Sequence, residues 1–484
     1  MVQGTASGVG KSVIAAGLCR ILRRRGYRVA PFKAQNMALN AAVTLDGGEI
    51  ARSIAVQAAA AGVEPTVDMN PVLLKPEADS RSQVIVRGRV HATREARDYF
   101  RRTDDLWPVV AESLDRLRAE YEVVVAEGAG SPAELNLRDR DIVNMRVARY
   151  ADAAVLLVGD VDRGGVFAQL IGTLDLLPPE ERALVRGLVV NRFRGDPTLF
   201  EDGVRIIEER TGRPVLGVVP AVPDLGLAEE DGVPLDDPRR TRTPEPDELR
   251  IAVLQLPRIS NFDDFDPLAR EPGVAIVYAD RPGQLEGADL VVIPGSKSTA
   301  ADLGWLRARG LADAIAAAAS RGTPVLGVCG GFQMLGRAIH DPERVESVGS
   351  VPGLGLLEHE TVFAPEKRTA RVEGRVVARR GPLGAANGAA VEGYEIHAGR
   401  SAAGDSPLLE IDGRPDGHDG LVFGTYLHGL FENRPVRRAL IEWLARRRGI
   451  PRPPEASCAD PYDRWADVLE ASLDVPRLLE LCLR

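Results

Sequence analysis

A chain of 484 residues, 44% of them hydrophobic, is long enough for two to four domains with buried cores. Its formal net charge of −9 lacks the basic excess that a nucleic-acid binder needs to neutralise phosphates. The four cysteines (Cys19, Cys329, Cys458, Cys482) form no CxxC pair, which argues against a disulfide framework; without a signal peptide or an apolar run of membrane-spanning length, a cytoplasmic protein with no membrane partner is expected.

The first element is "VQGTASGVGKS", residues 2–12. Glycines at 4, 8 and 10 let backbone N–H groups turn toward an anion, with Thr5 beside them. Lys11 adds a point charge and Ser12 a hydroxyl that can reach Mg²⁺. The next stretch, "SVIAAGLCRILRRRG", has helical periodicity, so the loop sits at a helix N-terminus where the dipole favours phosphate. Five residues separate Gly4 from Gly10, one more than in the common phosphate loop. Only "MVQ" precedes the loop as a strand, so a start upstream of Met1 is one expectation.

Buried parallel strands are expected at "VVVA" (123–126), "AAVLLVG" (153–159), "RGLVVN" (186–191) and "PVLGVVP" (214–220), which are short, continuously apolar and rich in Val. Their alternation with helical segments predicts a doubly wound α/β sheet. Such sheets bind ligands at the carboxyl ends of their strands. Candidate acids there are Glu127, Asp160 and Asp162, with Asp46 and Glu49 in "DGGEI" as further metal or water ligands. For each, a loop carboxylate or helix cap is the competing role. Asn191 closes a buried strand, as a nucleotide contact or a strand terminator.

"DDPRRTRTPEPDEL" (236–249) is charged, Pro-rich and aperiodic, and is read as a linker. Strands resume at "RIAVLQL" (250–256), "GVAIVYA" (273–279), "ADLVVIPG" (288–295) and "TPVLGVCGG" (323–331). The expected division is a nucleotide domain at 1–235, a second α/β domain at 250–450 and a helical tail at 451–484.

In "PVLGVCGGFQMLG" (324–336), a strand runs into Cys329 and a helix leaves from Gly330 and Gly331. This is the thiol form of a nucleophile elbow. The helix N-terminus favours the thiolate, and backbone N–H groups at Gly330 and Gly295 are candidates for an oxyanion hole. His428 in "GTYLHGLF" is the candidate base. A buried inert cysteine and a surface histidine are the bland alternatives.

The five-residue loop spacing resembles dethiobiotin synthetase and its relatives, which activate a carboxylate with ATP. That resemblance implies Glu127 as a Mg²⁺ ligand with Ser12 and Asp46, and Asn191 against adenine. The second half resembles class I glutamine amidotransferase domains, with a flavodoxin-like α/β fold, which release ammonia from glutamine through a thioester. Many of those carry a Glu two residues after the His; Leu430 stands there, so either a Cys–His dyad suffices or another acid orients His428, with Glu395 in "GYEIHAGR" one candidate and His397 beside it, neither with an assigned role.

"FKAQNMALN", "DGGEI", "LLKPEADSRSQVIVRG", "EGAGSPAELNL", "GDVDRGGVFA", "NRFRGD", "ISNFDDFDPL", "PGSKST" and "YEIHAG" together, in this order, resemble the glutamine-hydrolysing cobyric acid synthases of cobalamin biosynthesis. The resemblance implies ATP, Mg²⁺, glutamine and a corrinoid as ligands, and amidation of the b, d, e and g carboxylates of adenosylcobyrinic acid a,c-diamide. Gln35, Asn36, Asn40, Lys75, Ser82, Gln83 and Asp160 are then candidates to line the corrinoid pocket, against the alternative of polar loops packed on the sheet. Cobyrinic acid a,c-diamide synthase shares the two-domain plan, and a partition-type ATPase switch is the non-enzymatic rival.

Overall fold

The computed structural model describes residues 1–77, 81–95, 98–99, 102–222, 225–227, 244–346, 349–402, 404–451, 453–455 and 460–483. Residues 236–243 of the expected linker, residues 78–80 of "LLKPEADSRSQVIVRG", and Cys458 lie outside them. The chain forms two compact units that are not contiguous in sequence: Met1–Ala38, Gly48–Asp231 and Cys458–Arg484 make the first, Leu39–Gly47 and Gly232–Ser457 the second.

The first unit is built on a parallel sheet. Strands Val2–Gly4, Val155–Asp160, Val185–Phe193 and Val215–Pro220 are hydrogen-bonded in that order. Val29–Phe32 and Val123–Ala126 pair in parallel, and a bridge from Val2 to Glu127 joins this pair to the rest. The Val155–Asp160 strand is buried along its whole length, which is why it reads as an uninterrupted apolar run. A second, mixed sheet takes Gln35–Met37, Val72–Pro76, Arg81–Val86 and Arg89–Glu95.

The C-terminal helices Pro461–Ser472 and Val475–Cys482 belong to this unit. Trp465, Leu469, Leu473 and Leu478 share a core with Ile14, Leu18, Ile21 and Leu216. Gly17 permits the approach, since a Cβ there would lie 2.3 Å from Leu469 Cδ1. Arg20 bonds Asp460 and Asp463, and Arg24 bonds Asp463 and Asp467 around the rim of the contact.

The second unit has a five-stranded parallel sheet in the order Val274–Ala279, Leu249–Leu254, Leu290–Ile293, Val325–Val328, Val422–Thr425. A mixed sheet is centred on the long strand Glu360–Val376, antiparallel to Ala390–Ser401. The short strands Ile259–Ser260 and Gly295–Ser296 form a separate antiparallel pair. Both parallel sheets agree with the predicted α/β class.

Candidate functional site

In the first unit the phosphate loop links strand Val2–Gly4 to helix Lys11–Arg24. Gly8 and Gly10 have φ of 70° and 97°, which a side chain rarely adopts. A Cβ on Gly10 would also lie 2.2 Å from Asn191 Nδ2, and one on Gly4 2.5 Å from Val9 Cγ2. Lys11 is buried; its ammonium donates to the carbonyls of Ala6 and Gly130 at 2.9 and 3.1 Å. Thr5 donates to Gln169 at 3.1 Å. Asn191 Nδ2 donates to Val9 O at 2.8 Å, fixing the loop from the end of its strand.

Glu127 follows the strand next to Val2–Gly4 and is 1% exposed. The Ser12 hydroxyl donates to its Oε1 at 2.8 Å, the Lys33 ammonium lies 3.0 Å from the same oxygen, and Gln57 Nε2 donates to Oε2 at 2.6 Å. None of the sequence motifs contains Gln57. Lys33 stands in "FKAQNMALN", directly after the buried strand Val29–Phe32, whose Phe32 pairs with Ala126. A serine hydroxyl and one carboxylate, leaving room for phosphate oxygens and water, suit Mg²⁺. Among the described residues no group of three His, Cys, Asp or Glu gathers to hold a metal by itself.

A cavity of about 340 Å³ opens beside the loop, lined by Gly8, Lys11, Ser12, Lys33, Asn36 and Asn191, with Pro220, Val222, Leu225 and Trp465 on its apolar side.

The remaining candidates separate. Asn36 donates to Ser53, and Gln35 accepts from the Tyr99 hydroxyl. Lys75 and Gln83, like Pro76 and Ser82, are directly opposite one another in the mixed sheet. The Lys75 ammonium is held by Glu49 at 2.7 Å with both groups buried, so Glu49 serves an internal ion pair. Asp160 is likewise committed to Arg192 at 3.0 Å and to the Asp162 N–H, while Asp162 pairs with Arg194. Asn40 and Asp46 belong to the second unit, where Asp46 accepts from the Thr44 hydroxyl.

In the second unit, Cys329 takes φ 49° and ψ −108° between strand Val325–Val328 and helix Gly330–Leu335. This strained elbow is what the flanking glycines anticipate: a Cβ on Gly331 would lie 1.9 Å from Ile293 O, and one on Gly330 2.9 Å from Ser296 N. The thiol points to Ile396 O at 3.6 Å and is hydrogen-bonded to His428. Gly295 lies beside the imidazole, where a Cβ would come within 3.2 Å of His428 Cε1.

The acid that orients His428 is Asp264, not Glu395. His428 Nδ1 lies 2.7 Å from Asp264 Oδ2, and Asp264 Oδ1 accepts from Gly429 N at 2.9 Å. Burial opposes a charged imidazole, but Asp264 and Cys329 outweigh it and raise the His428 pKa to about 10. Tyr394 stacks on the ring at 5.3 Å. Glu395 instead pairs with Arg368, and its Oε2 is 3.9 Å from His397 Nε2; burial pushes its carboxyl up, but His397 and Arg368 hold it below its ordinary value. His397 stacks on Tyr426 at 4.0 Å and bonds Gly399 O through Nδ1. The sequence signal for Asp264 was an acid inside the apolar stretch "NFDDF", where Phe262, Asp263, Asp264 and Phe265 are all buried.

The chain matches two family models, one described as a CobQ/CobB/MinD/ParA nucleotide binding domain over residues 1–235, the other as a CobB/CobQ-like glutamine amidotransferase domain over residues 250–436. It is 54% identical to the cobyric acid synthase of Sorangium cellulosum, across 98% of this chain and 96% of that protein. The cobyric acid synthase of Chloroflexus aggregans is 54% identical over the same shares, and that of Dehalococcoides mccartyi strain CBDB1 is 49% identical over 99% of this chain and 97% of its own.

Proposed function

The chain belongs to the cobyric acid synthase family, and from that premise we propose which of its residues carry each half-reaction. The enzyme is an ATP- and glutamine-dependent ligase that amidates the b, d, e and g carboxylates of adenosylcobyrinic acid a,c-diamide to give cobyric acid.

The observation that carries the glutaminase assignment is the Cys329–His428–Asp264 chain of contacts. Cys329 Sγ attacks the glutamine side-chain carbonyl, and backbone N–H groups at Gly295 and Gly330 receive the oxyanion. His428, held as the imidazolium, gives its proton to the leaving nitrogen, so ammonia departs and a thioester remains. Water then hydrolyses the thioester with His428 as base. Asp264 fixes the ring tautomer by accepting from Nδ1.

For the synthetase half, the loop Gly4–Ser12 wraps the phosphates of ATP, with Lys11 as the fixed charge. Ser12 and Glu127 would hold Mg²⁺, and the ion, when bound, would supply charge neutralisation for the transferred phosphoryl group. A corrinoid carboxylate takes the γ-phosphoryl group, and ammonia displaces phosphate from the acyl phosphate to form the amide. Lys33, beside Glu127, offers a second buried cation at this end of the sheet. Gln83, whose Oε1 is buried without a hydrogen-bond partner among the described residues, is the strongest of the corrinoid candidates in the mixed sheet. We place the enzyme in the cytoplasm, acting on small molecules; no described helix is long and apolar enough to cross a membrane.

Product mass with corrinoid substrate tests the assignment, since each carboxyl converted to a carboxamide changes the mass by one fixed increment. Four increments are expected with the a,c-diamide, and two with cobyrinic acid would point to the a,c-diamide synthase. Cys329→Ser should abolish glutamine use and keep synthesis from added ammonia; loss of both nitrogen sources would overturn the division of labour.

A further inference from the structure

The segment Leu39–Gly47 is separated from the rest of the second unit by nearly two hundred residues of chain, yet it belongs to that unit. Its attachment is reciprocal. Asn40 Oδ1 accepts from Phe262 N at 3.3 Å, and Asn261 Oδ1 accepts from Ala41 N at 3.1 Å. Asn40, Ala41 and Asn261 are all buried. Asn261 has φ 51°, a left-handed conformation that Asn tolerates better than most residues. Further along, Arg371 Nε donates to Val43 O at 2.8 Å, and Ala41 and Val43 pack in one cluster with Tyr394 and Ile396.

These contacts converge on the glutaminase centre. The loop held by Asn40 is the one that carries Asp264, whose N–H closes a turn onto Asn261 O at 3.1 Å. Just before it, Ser260 pairs with Gly295, the oxyanion candidate. Tyr394 stacks on His428 and exchanges backbone hydrogen bonds with it at 3.2 and 2.9 Å. The two amide side chains answer the backbone N–H groups of Phe262 and Ala41 in buried surroundings, so they do more than fill space.

We propose that Asn40 and Asn261 are positioning residues of the glutaminase, their crossed hydrogen bonds setting the loop that presents Asp264 to His428. This rests on the assignment of Cys329, His428 and Asp264 above, and it gives Asn40 a role other than the corrinoid contact expected from the sequence.

The test uses the full chain carrying Asn40→Ala, with glutamine hydrolysis and ammonia-driven amidation measured on the same preparation. The glutaminase kcat should fall about tenfold or more, as displacement of a catalytic group does, with a smaller change in KM. The alkaline limb of its pH profile should move to lower pH, because His428, faced by Asp264, Cys329 and the Tyr394 ring, loses its main anionic support. Asn40→Asp keeps the acceptor and should restore most of the rate. An unchanged kcat and pH profile in Asn40→Ala would overturn the proposal. So would intact glutaminase with lost ammonia-driven amidation, which returns Asn40 to the corrinoid site. If Asn40→Ala loses both activities, Asn261→Gly decides by the same criteria, since it removes the acceptor while keeping the left-handed backbone available. Cys329→Ser separates the two levels: if it still hydrolyses glutamine, the centre is misassigned, whereas an inactive Cys329→Ser beside an unaffected Asn40→Ala removes only the positioning role.

Discussion

Asp264 and His428 stand 164 residues apart in the chain and 2.7 Å apart in the fold, both buried. The carboxylate therefore holds the imidazole in one orientation and one tautomer, with the other ring nitrogen left for Cys329.

Asp264→Asn should lower the glutaminase kcat about a hundredfold or more, because the amide can present its N–H to Nδ1 and stabilise the wrong tautomer. Ammonia-driven amidation by the same preparation is the control. A glutaminase rate within a few-fold of the parent would show that Cys329 and His428 act as a dyad.

The raised pKa of His428 sets a pH window. Its folded value, about 10, lies above its ordinary value of 6.5, so the imidazolium stabilises the fold fully below 6.5 and this contribution fades as pH rises through about 10. Rate profiles of glutamine hydrolysis should show an alkaline limb near pH 10 that shifts downward in Asp264→Asn. A limb at the ordinary imidazole value in the parent would contradict the buried ion pair.

Glu127→Gln removes the carboxylate that serves Ser12, Lys33 and Gln57 together. Amidation from either nitrogen source should be lost and Mg²⁺-dependent ATP binding weakened, measured by calorimetry with and without the ion. The buried Lys33 ammonium loses this carboxylate, so the first unit should also lose stability in denaturant titrations. Unaltered Mg²⁺ dependence would remove Glu127 from the metal site.

Trp465→Ala tests how the tail supports the nucleotide unit. Trp465 is buried, donates to Val13 O at 2.6 Å and lines the cavity beside the phosphate loop. Truncation should cost about 3–5 kcal/mol and weaken ATP binding. If urea unfolding is unchanged, the helices Pro461–Ser472 and Val475–Cys482 are not part of this core.

Much of the chemistry was legible because it is local. The glycines around Lys11 and Cys329 mark places where the backbone itself must bend, and each motif lies between an apolar run and a helical pattern. Continuous Val- and Leu-rich stretches gave the parallel strands for the same reason: burial on both faces removes alternation. The glycine-rich loop and the Cys329 turn could thus be placed on strand termini from residue order alone.

Tertiary structure decided the partners. Lys33 reaches Glu127 across 94 residues and Phe262 reaches Asn40 across 222, and neither spacing leaves a periodic trace. Glu395 was the orienting acid suggested by proximity in sequence, but its strand directs it to Arg368, while Asp264 comes from a loop fixed by Asn261 and Asn40. A single sequence records which residues can bend, ionise or coordinate. Which carboxylate faces which cation depends on how distant segments pack, and that is settled only when burial decides which groups lie within reach of each charge.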